Sequence, residues 1–380
     1  MEWRVPLFDL DYGLEENNAV REVLESGWLT MGGVTERFER AFADYLGVRH
    51  AIAVSNATVA LHLANLALGI GPGDEVIVPS LTFVATANAV GYTGATPVFA
   101  DVTSEDDLCV SPDSIKAEIT PRTKAITVMH FGGHLCDMPA IHDLAKEYGL
   151  DVIEDAAHAP GAELDGKKAG NWGDVGCFSF FSNKNLVTGE GGMIVTNRED
   201  LAESIRLMRS HGMTSLTLDR HRGKSYSYDV VTLGYNYRID EIRSALGLVQ
   251  LRKLDANNER RRSIRERYHS MLQDMEGISL PYLSHRGVSA DHLLAILLDP
   301  GLDRGNFIEA VHARGIQTSI HYPPVHQFTY YRQQGSMPTL PVTEDVASRE
   351  VTLPLYPAMD GDNLESVVSA VKDALKGVAE

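Results

Sequence analysis

The fold class this chain predicts is α/β, built on a mainly parallel sheet, and three observations carry that expectation. Apolar runs suited to strands alternate with helix-patterned segments from residue 51 to residue 155, the pattern of parallel strands joined by right-handed crossovers. The run LDVIEDAAHAP, residues 150–160, puts Glu154 and Asp155 at the end of one such strand, where open α/β sheets carry functional groups. Residues 176–197, GCFSFFSNKNLVTGEGGMIVTN, read as strand, turn and strand, with Lys184 in the turn between two apolar segments.

Taken in order, residues 1–33 read as an arm and a first helix, with helical spacing of Val20, Val23 and Leu24 over 15–26 and a stop at Gly27. A second helix covers 35–46, with Phe38, Phe42 and Leu46 on one face. Strand 51–54 passes through Ser55 and Asn56 into helix 57–68, closed by Gly69. Strand 75–79, helix 83–92, strand 96–101, helix 112–119, strand 124–130 and helix 138–148 continue the alternation to the strand ending at Asp155. Beyond Lys184 come strand 193–196 and helix 201–211. The polar stretch 212–230 reads as a long loop, and Arg220, His221, Arg222 and Lys224 make it the most basic segment of an acidic chain. A solvated loop and a loop that meets substrate phosphates both fit it. A helix from 239 to 274 links two domains, a large one over 1–245 that includes the N-terminal arm and a small α+β one over 246–380. The small domain shows strand 292–298, helix 304–314, strand 318–320, the Pro-locked HYPPVH segment and a final helix over 362–375.

Composition narrows the function classes. With 44% hydrophobic and 23% charged residues the chain reads as a soluble globular enzyme. Its net charge of −18, from 34 Lys plus Arg against 52 Asp plus Glu, disfavours nucleic acid and anionic membranes as partners. Three scattered cysteines, Cys109, Cys136 and Cys177, argue against a disulfide framework or zinc cage and for the reducing cytoplasm. No apolar leader and no run long enough to span a membrane stand out in the sequence.

A lysine held between two apolar strands is open to desolvation, which lowers an amine's pKa and makes it a nucleophile able to form a Schiff base. Taken alone, Lys184 also fits a surface turn, and Asp155 also fits a helix N-cap. Together they suggest pyridoxal 5'-phosphate (PLP). The lysine would hold the aldehyde as an imine, and the aspartate would keep the pyridine nitrogen protonated so that the ring acts as an electron sink. The turn Ser55, Asn56, Ala57, Thr58 opens a helix, and such a start exposes backbone N–H groups at the positive end of the dipole. That is an anion site or a plain N-cap.

The motifs SGWLTMGG (26–33), SNATVALHLA (55–64), PSLTFVATANAV (79–90), EDAAHA (154–159), FSFFSNKNL (178–186), GEGGMIVTN (189–197) and GYNYRIDEI (234–242) follow one another in that order. In them the chain resembles the PLP-dependent sugar aminotransferases of the DegT/DnrJ/StrS family, from Pro6 to its end. The resemblance implies the type I aminotransferase fold, with helices on both faces of the sheet, and a homodimer with active sites at the interface. It implies that Lys184 bonds the cofactor, that Asp155 pairs with the ring nitrogen, and that Phe83 stacks on the ring. His158 would reach the phenolic oxygen, and the phosphate would lie on Ala57, Thr58, Ser179 and the partner subunit's Asn236. Trp28 and Thr30 in the Gly-rich loop, Arg238 and His326 are its substrate-contact candidates. No metal is implied.

The expected activity is a ping-pong transamination. An amino group passes from L-glutamate or L-glutamine to the cofactor, leaving pyridoxamine 5'-phosphate (PMP), and from there to a nucleotide-linked keto sugar, with Lys184 as the proton-shuttling base. The GYNYR segment and the KNL after the lysine resemble the branch that aminates dTDP-4-keto-6-deoxy sugars at C4. Sugar dehydratases of the family carry histidine in place of the lysine, and position 184 here is Lys. A scyllo-inosose (cyclitol) aminotransferase, a C3 keto-sugar aminotransferase and a cofactor-binding regulatory protein are the alternative readings.

Overall fold

The structure is a computed structural model, and it describes residues 3–215, 223, 226–335 and 337–378. The basic cluster Arg220, His221, Arg222 and Lys224 lies outside the described residues. In chain order the strands are β1 (His50–Val54), β2 (Glu75–Pro79), β3 (Thr96–Ala100), β4 (Thr123–Met129), β5 (Asp151–Asp155), the hairpin β6 (Glu163–Leu164) and β7 (Lys167–Lys168), β8 (Val175–Ser179) and β9 (Gly192–Thr196). The central sheet runs β1-β9-β8-β5-β4-β2-β3. Neighbours from β8 to β3 are parallel, and β9 is antiparallel to both β8 and β1. The expected mainly parallel α/β sheet is therefore present.

Strand residues alternate between two cores, as the period of two in a sheet demands. Ala51, Ala53, Val152, Phe178, Met193 and Val195 enter a core that also holds Phe38, Phe42 and Phe180. Ile52, Val54, Ile153, Val175, Cys177 and Ile194 enter the core on the opposite face, against helix Ala57–Ala67 and helix Glu199–Arg209. Phe38, Phe42, Phe178 and Phe180 meet edge-on or tilted at 5.1–6.1 Å between centroids, a favourable arrangement of ring quadrupoles.

One buried carboxylate ties three chain segments together. Glu154, fully buried at the end of β5, accepts the N–H groups of Gly170 (2.8 Å), Trp172 (2.7 Å) and Gly173 (2.6 Å) and the Nε2–H of His130 (2.9 Å). The His130 ring accepts in turn from the Cys136 N–H through Nδ1. These bonds fix the end of β4, the end of β5 and the entry to β8. The ladder then sets Met129, Asp155 and Cys177 side by side. Glu241 plays a similar part elsewhere, accepting the N–H groups of Gly32, Val34 and Thr35 at 2.8 Å each at the start of helix Gly33–Leu46.

The long helix Glu241–Leu272 gives Leu251 and Leu254 to the first core and Ile264, Tyr268 and Leu272 to a third. That third core packs the antiparallel sheet of β10 (Ile278–Ser279), β11 (Leu294–Leu298) and β12 (Glu350–Leu353) against helices Arg304–His312 and Gly361–Val378. Val5 of the N-terminal arm joins it, bonded to Gly315 and Gln317. Two expected strands differ here. Segment 318–320 makes a single bridge, Ser319 to Thr352, because the chain next turns back toward Glu350 and Thr352, which hold His321. The strand expected from 292 starts only at Leu294, because the His292 N–H goes to Gly132 O rather than into the ladder.

Gly192 opens β9 where it crosses the start of helix Ala57–Ala67. A Cβ there would lie 2.7 Å from the Asn56 carbonyl carbon and 2.9 Å from Ala57 N. Both are backbone atoms and cannot swing aside. Gly192→Ala is expected to lower stability by about 1–3 kcal/mol, measured as a drop in the denaturant midpoint at unchanged slope.

Candidate active site

A cavity of ≈ 870 Å³ opens at the carboxyl ends of the parallel strands. Each side chain reaches it by a local device. Asp155 ends β5. Ser179 ends β8, after which the chain leaves the sheet at Phe180. Ala57 and Thr58 start their helix, whose N-cap Asn56 accepts the Val59 N–H at 3.0 Å. The Lys184 loop is closed on itself by Lys184 N–H to Phe181 O (2.9 Å), Thr188 N–H to Phe180 O (2.9 Å) and Phe180 N–H to Gly191 O (2.9 Å). It is pinned by the burial of Leu186 and Val187.

The electrostatics follow from burial. The Lys184 amine is pushed down to about 8, by desolvation and against the pull of Asp155. The Asp155 carboxyl is raised by burial. The Thr86 hydroxyl (2.7 Å) and the Ala157 N–H (3.2 Å) oppose the shift as donors, and the Lys184 charge adds to them. His158, His292 and His321 are all pushed toward the neutral ring, by burial first and by the Lys184 charge next. His158 lies 3.0 Å from the Tyr322 hydroxyl through Nε2 and accepts the Gly132 N–H through Nδ1. A titratable amine, a buried carboxylate and neutral imidazoles in one cleft make a centre for nucleophilic amine and proton-transfer chemistry.

Ala57, Thr58, Phe83, Asp155, His158, Ser179 and Lys184, named from the sequence, all line this one cavity. Phe83 stands ahead of helix Ala85–Gly91, 58% exposed, with its ring 6.1 Å from that of Tyr322. It is therefore not held in the core. The other candidates lie elsewhere. Asn236 is exposed and outside its own chain's cavity, bridged to Ser210. Arg238 is half-buried, bridged to Val54 and lowered by burial and by Arg209. Trp28 and Thr30 sit beside the start of the long helix, where Leu29 O accepts the Glu241 N–H and Thr30 bridges to Asp240. His326 also lies outside the cavity of its own chain. Its ring is buried between Ser80 Oγ (2.6 Å) and Glu344 Oε1 (3.2 Å) and does not reach the cavity. The HYPPVH segment does border the site, but through His321 and Tyr322.

Sequence reasoning missed Thr86, His292, His321 and Tyr322. Thr86 lies one helical turn beyond Thr82 in a run of small residues, and the two hydroxyls are 2.8 Å apart. His292 is brought to Asn185 of the lysine loop only by the tertiary fold.

The three groups PLP demands are each met within this cleft. The amine is depressed, the carboxylate is buried and held by donors, and a helix N-terminus beside Ser179 offers a place for an anion. Fold and site together define a PLP-dependent transaminase of the type I fold. The model of the DegT/DnrJ/EryC1/StrS aminotransferase family matches residues 11–372, and the chain belongs to that family. It is 43% identical over 372 residues to the spore coat polysaccharide biosynthesis protein SpsC of Bacillus subtilis, covering 96% of this chain and 95% of the relative. Among solved structures it resembles DesV of S. venezuelae in complex with a ketimine intermediate (37% identity, TM-score 0.90, 98% and 99% of the two chains). A Streptococcus pneumoniae relative in its PLP form (28% identity, TM-score 0.90, 100% and 99%) is similar as well, and its PMP form is also known. The chain is a sugar aminotransferase, and PLP is its cofactor. Among the described residues, no helix is long and apolar enough to cross a membrane.

In the cofactor-free protein, acylation of Lys184 followed by peptide mass spectrometry is expected to show half-maximal reactivity near pH 8, against 10.5 for an ordinary lysine. The sign for stability follows. Between pH 8 and 10.5 the unfolded chain binds the lysine proton and the folded one does not, so this group makes stability rise with pH across that window.

Proposed function

We propose that this aminotransferase moves an amino group from L-glutamate, or L-glutamine, to C4 of a dTDP-4-keto-6-deoxy sugar, in the cytoplasm and as a homodimer. The observation that carries the reading is the convergence of Lys184, Asp155 and the start of helix Ala57–Ala67 on one cleft. Its ≈ 870 Å³ leave room for a sugar beside the cofactor. The KNL and GYNYR segments support the C4 branch. The three free, buried cysteines support a reducing compartment.

PLP, when bound, supplies an aldehyde that links to amines and a ring that takes up an electron pair. The roles of the chain's own residues follow. Lys184 Nζ bonds the cofactor at rest. When free, it would act as the base that moves a proton between the donor's Cα and the cofactor, and between the cofactor and the carbon that becomes aminated. Asp155, kept in place by Thr86 and the Ala157 N–H, pairs with the cofactor's ring nitrogen. Phe83 would stack on the ring and exclude water, and His158, hydrogen-bonded to Tyr322, would reach the phenolic oxygen. The amides of Ala57 and Thr58 and the hydroxyls of Thr58 and Ser179 bind the phosphate, with Asn236 of the partner subunit completing the cup. Trp28, Thr30 and Arg238 lie outside the cavity of a single chain, and we assign them to sugar contacts across the dimer. The large domain covers residues 1–245 and the small one 246–380.

The test is spectroscopic. L-Glutamate should bleach the visible band of the PLP-loaded protein, and a dTDP-4-keto-6-deoxy sugar should restore it. Restoration only by scyllo-inosose would transfer the assignment to a cyclitol, and restoration only by a 3-keto sugar would move it to C3. Lys184→Ala should lose at least about 10³-fold in turnover, the scale of a lost positioned acid–base group. Asn236→Ala should lower PLP affinity about tenfold, the effect of one hydrogen bond to a charged group, with the dimer intact by sedimentation. A fully active monomer would overturn the shared site.

A further inference from the structure

We propose that His292 is the positioning residue that holds the Lys184 amine whenever Lys184 is not bonded to the cofactor. The inference rests on the reading above that Lys184 is the cofactor-bonding lysine, and extends it to a residue with no assigned part in the reaction.

The geometry fixes which ring nitrogen faces the lysine. Pro160 O can only accept, so the Asn258 side-chain amide must turn its Nδ2 toward it (2.9 Å), leaving Asn258 Oδ1 for Asn185. Asn185 Nδ2 donates to that oxygen (2.9 Å) and to Ala290 O (2.7 Å), another group that only accepts. Asn185 Oδ1 is then what remains 3.0 Å from His292 Nδ1, so that nitrogen carries the proton. A neutral imidazole protonated at Nδ1 has its lone pair on Nε2, and Nε2 lies 3.4 Å from Lys184 Nζ. Two backbone carbonyls thus set the tautomer of the histidine, Pro160 O through three hydrogen bonds and Ala290 O through two, and the histidine presents an acceptor to the amine. The His292 N–H to Gly132 O (2.8 Å) and the packing of its ring at 4.4 Å from that of His158 fix the ring's place.

An acceptor there has a use. Transamination frees Lys184 in each half-reaction, and a free four-carbon side chain has many rotamers. A lysine held at Nε2 stays on the inner wall of the cleft, ready to take or return a proton. The charged and titratable groups that face Lys184 with His292 are Asp155 at the end of β5, His158, His321, Tyr322 and Glu190. The Asp155 charge draws the ammonium form.

Two substitutions separate the ring's two edges. His292→Asn keeps a donor toward Asn185 and loses the acceptor toward Lys184, whereas His292→Gln puts an amide oxygen where Nε2 stood. In cofactor-free protein, the pH midpoint of Lys184 acylation is expected to fall by about one unit in His292→Asn, the scale of a hydrogen bond lost from a charged donor. It should stay at the parent value in His292→Gln. Equal midpoints in all three proteins, or a shift in His292→Gln as large as in His292→Asn, would overturn the assignment. A reading independent of any variant is the ¹⁵N spectrum of histidine-labelled, cofactor-free protein. A ring protonated at Nδ1 and bare at Nε2 supports the proposal, and the opposite tautomer refutes it. Borohydride reduction of the PLP-loaded parent should tag Lys184. An untagged Lys184 would fell the cofactor reading and the proposal with it, whereas a tagged Lys184 with unshifted variants would fell the proposal alone.

Discussion

The fixed point of this molecule is the buried Glu154 carboxylate. A charged oxygen pair with no solvent is costly to place in a core unless donors surround it, and here three backbone N–H groups and one imidazole do so. The donors come from the end of β4 and from the segment entering β8, so satisfying one carboxylate sets the carboxyl ends of β4 and β5 against the start of β8. Asp155, the next residue, is thereby delivered to the cleft at a set height, level with Met129 and Cys177. Removing Glu154 would leave several donors unpaired in a site that water does not reach.

The cleft beside it is poised by a balance of burial and charge. Lys184 is the cation, Asp155 the anion facing it, and the nearby imidazoles of His158, His292 and His321 are pushed to their neutral forms. Neutral rings accept and donate without adding charge, so they can order the cleft without competing with the lysine for the aspartate. Thr86 matters for the same reason. Its hydroxyl gives a buried carboxylate a donor that carries no charge.

Much of this could be read from the residues, and the exceptions share a cause. Strand 75–79 and helix 138–148 match their expected bounds, because their apolar patterns end in Gly, Pro or a capping Asp that stops them locally. Asp155 and Lys184 stand out by their places at a strand end and in a turn, Ala57, Thr58, Phe83, His158 and Ser179 through the family resemblance, and all seven line the cleft. His292 could not be found in this way. It precedes β11, more than one hundred residues from Lys184, and only the fold brings them to 3.4 Å. The part of His326 is not legible either, because it stands in a proline-rich segment beside the site, while its ring joins Ser80 to Glu344. The supposed strand at 318–320 failed for want of a second rung, since strand propensity counts for little where a neighbour's edge does not continue.

The long helix Glu241–Leu272 belongs to two cores at once and, through Asn258, reaches the loop that carries Lys184. Its middle turn therefore cannot fray without releasing Asn185 and the His292 ring behind it. The lysine loop, which by length and glycine content would be expected to open easily on its own, borrows the persistence of a 32-residue helix. Amide exchange at the loop should thus be governed by the slow, large-scale openings of the whole protein rather than by local breathing. A reactive amine kept under that kind of protection meets few molecules other than those the cleft admits.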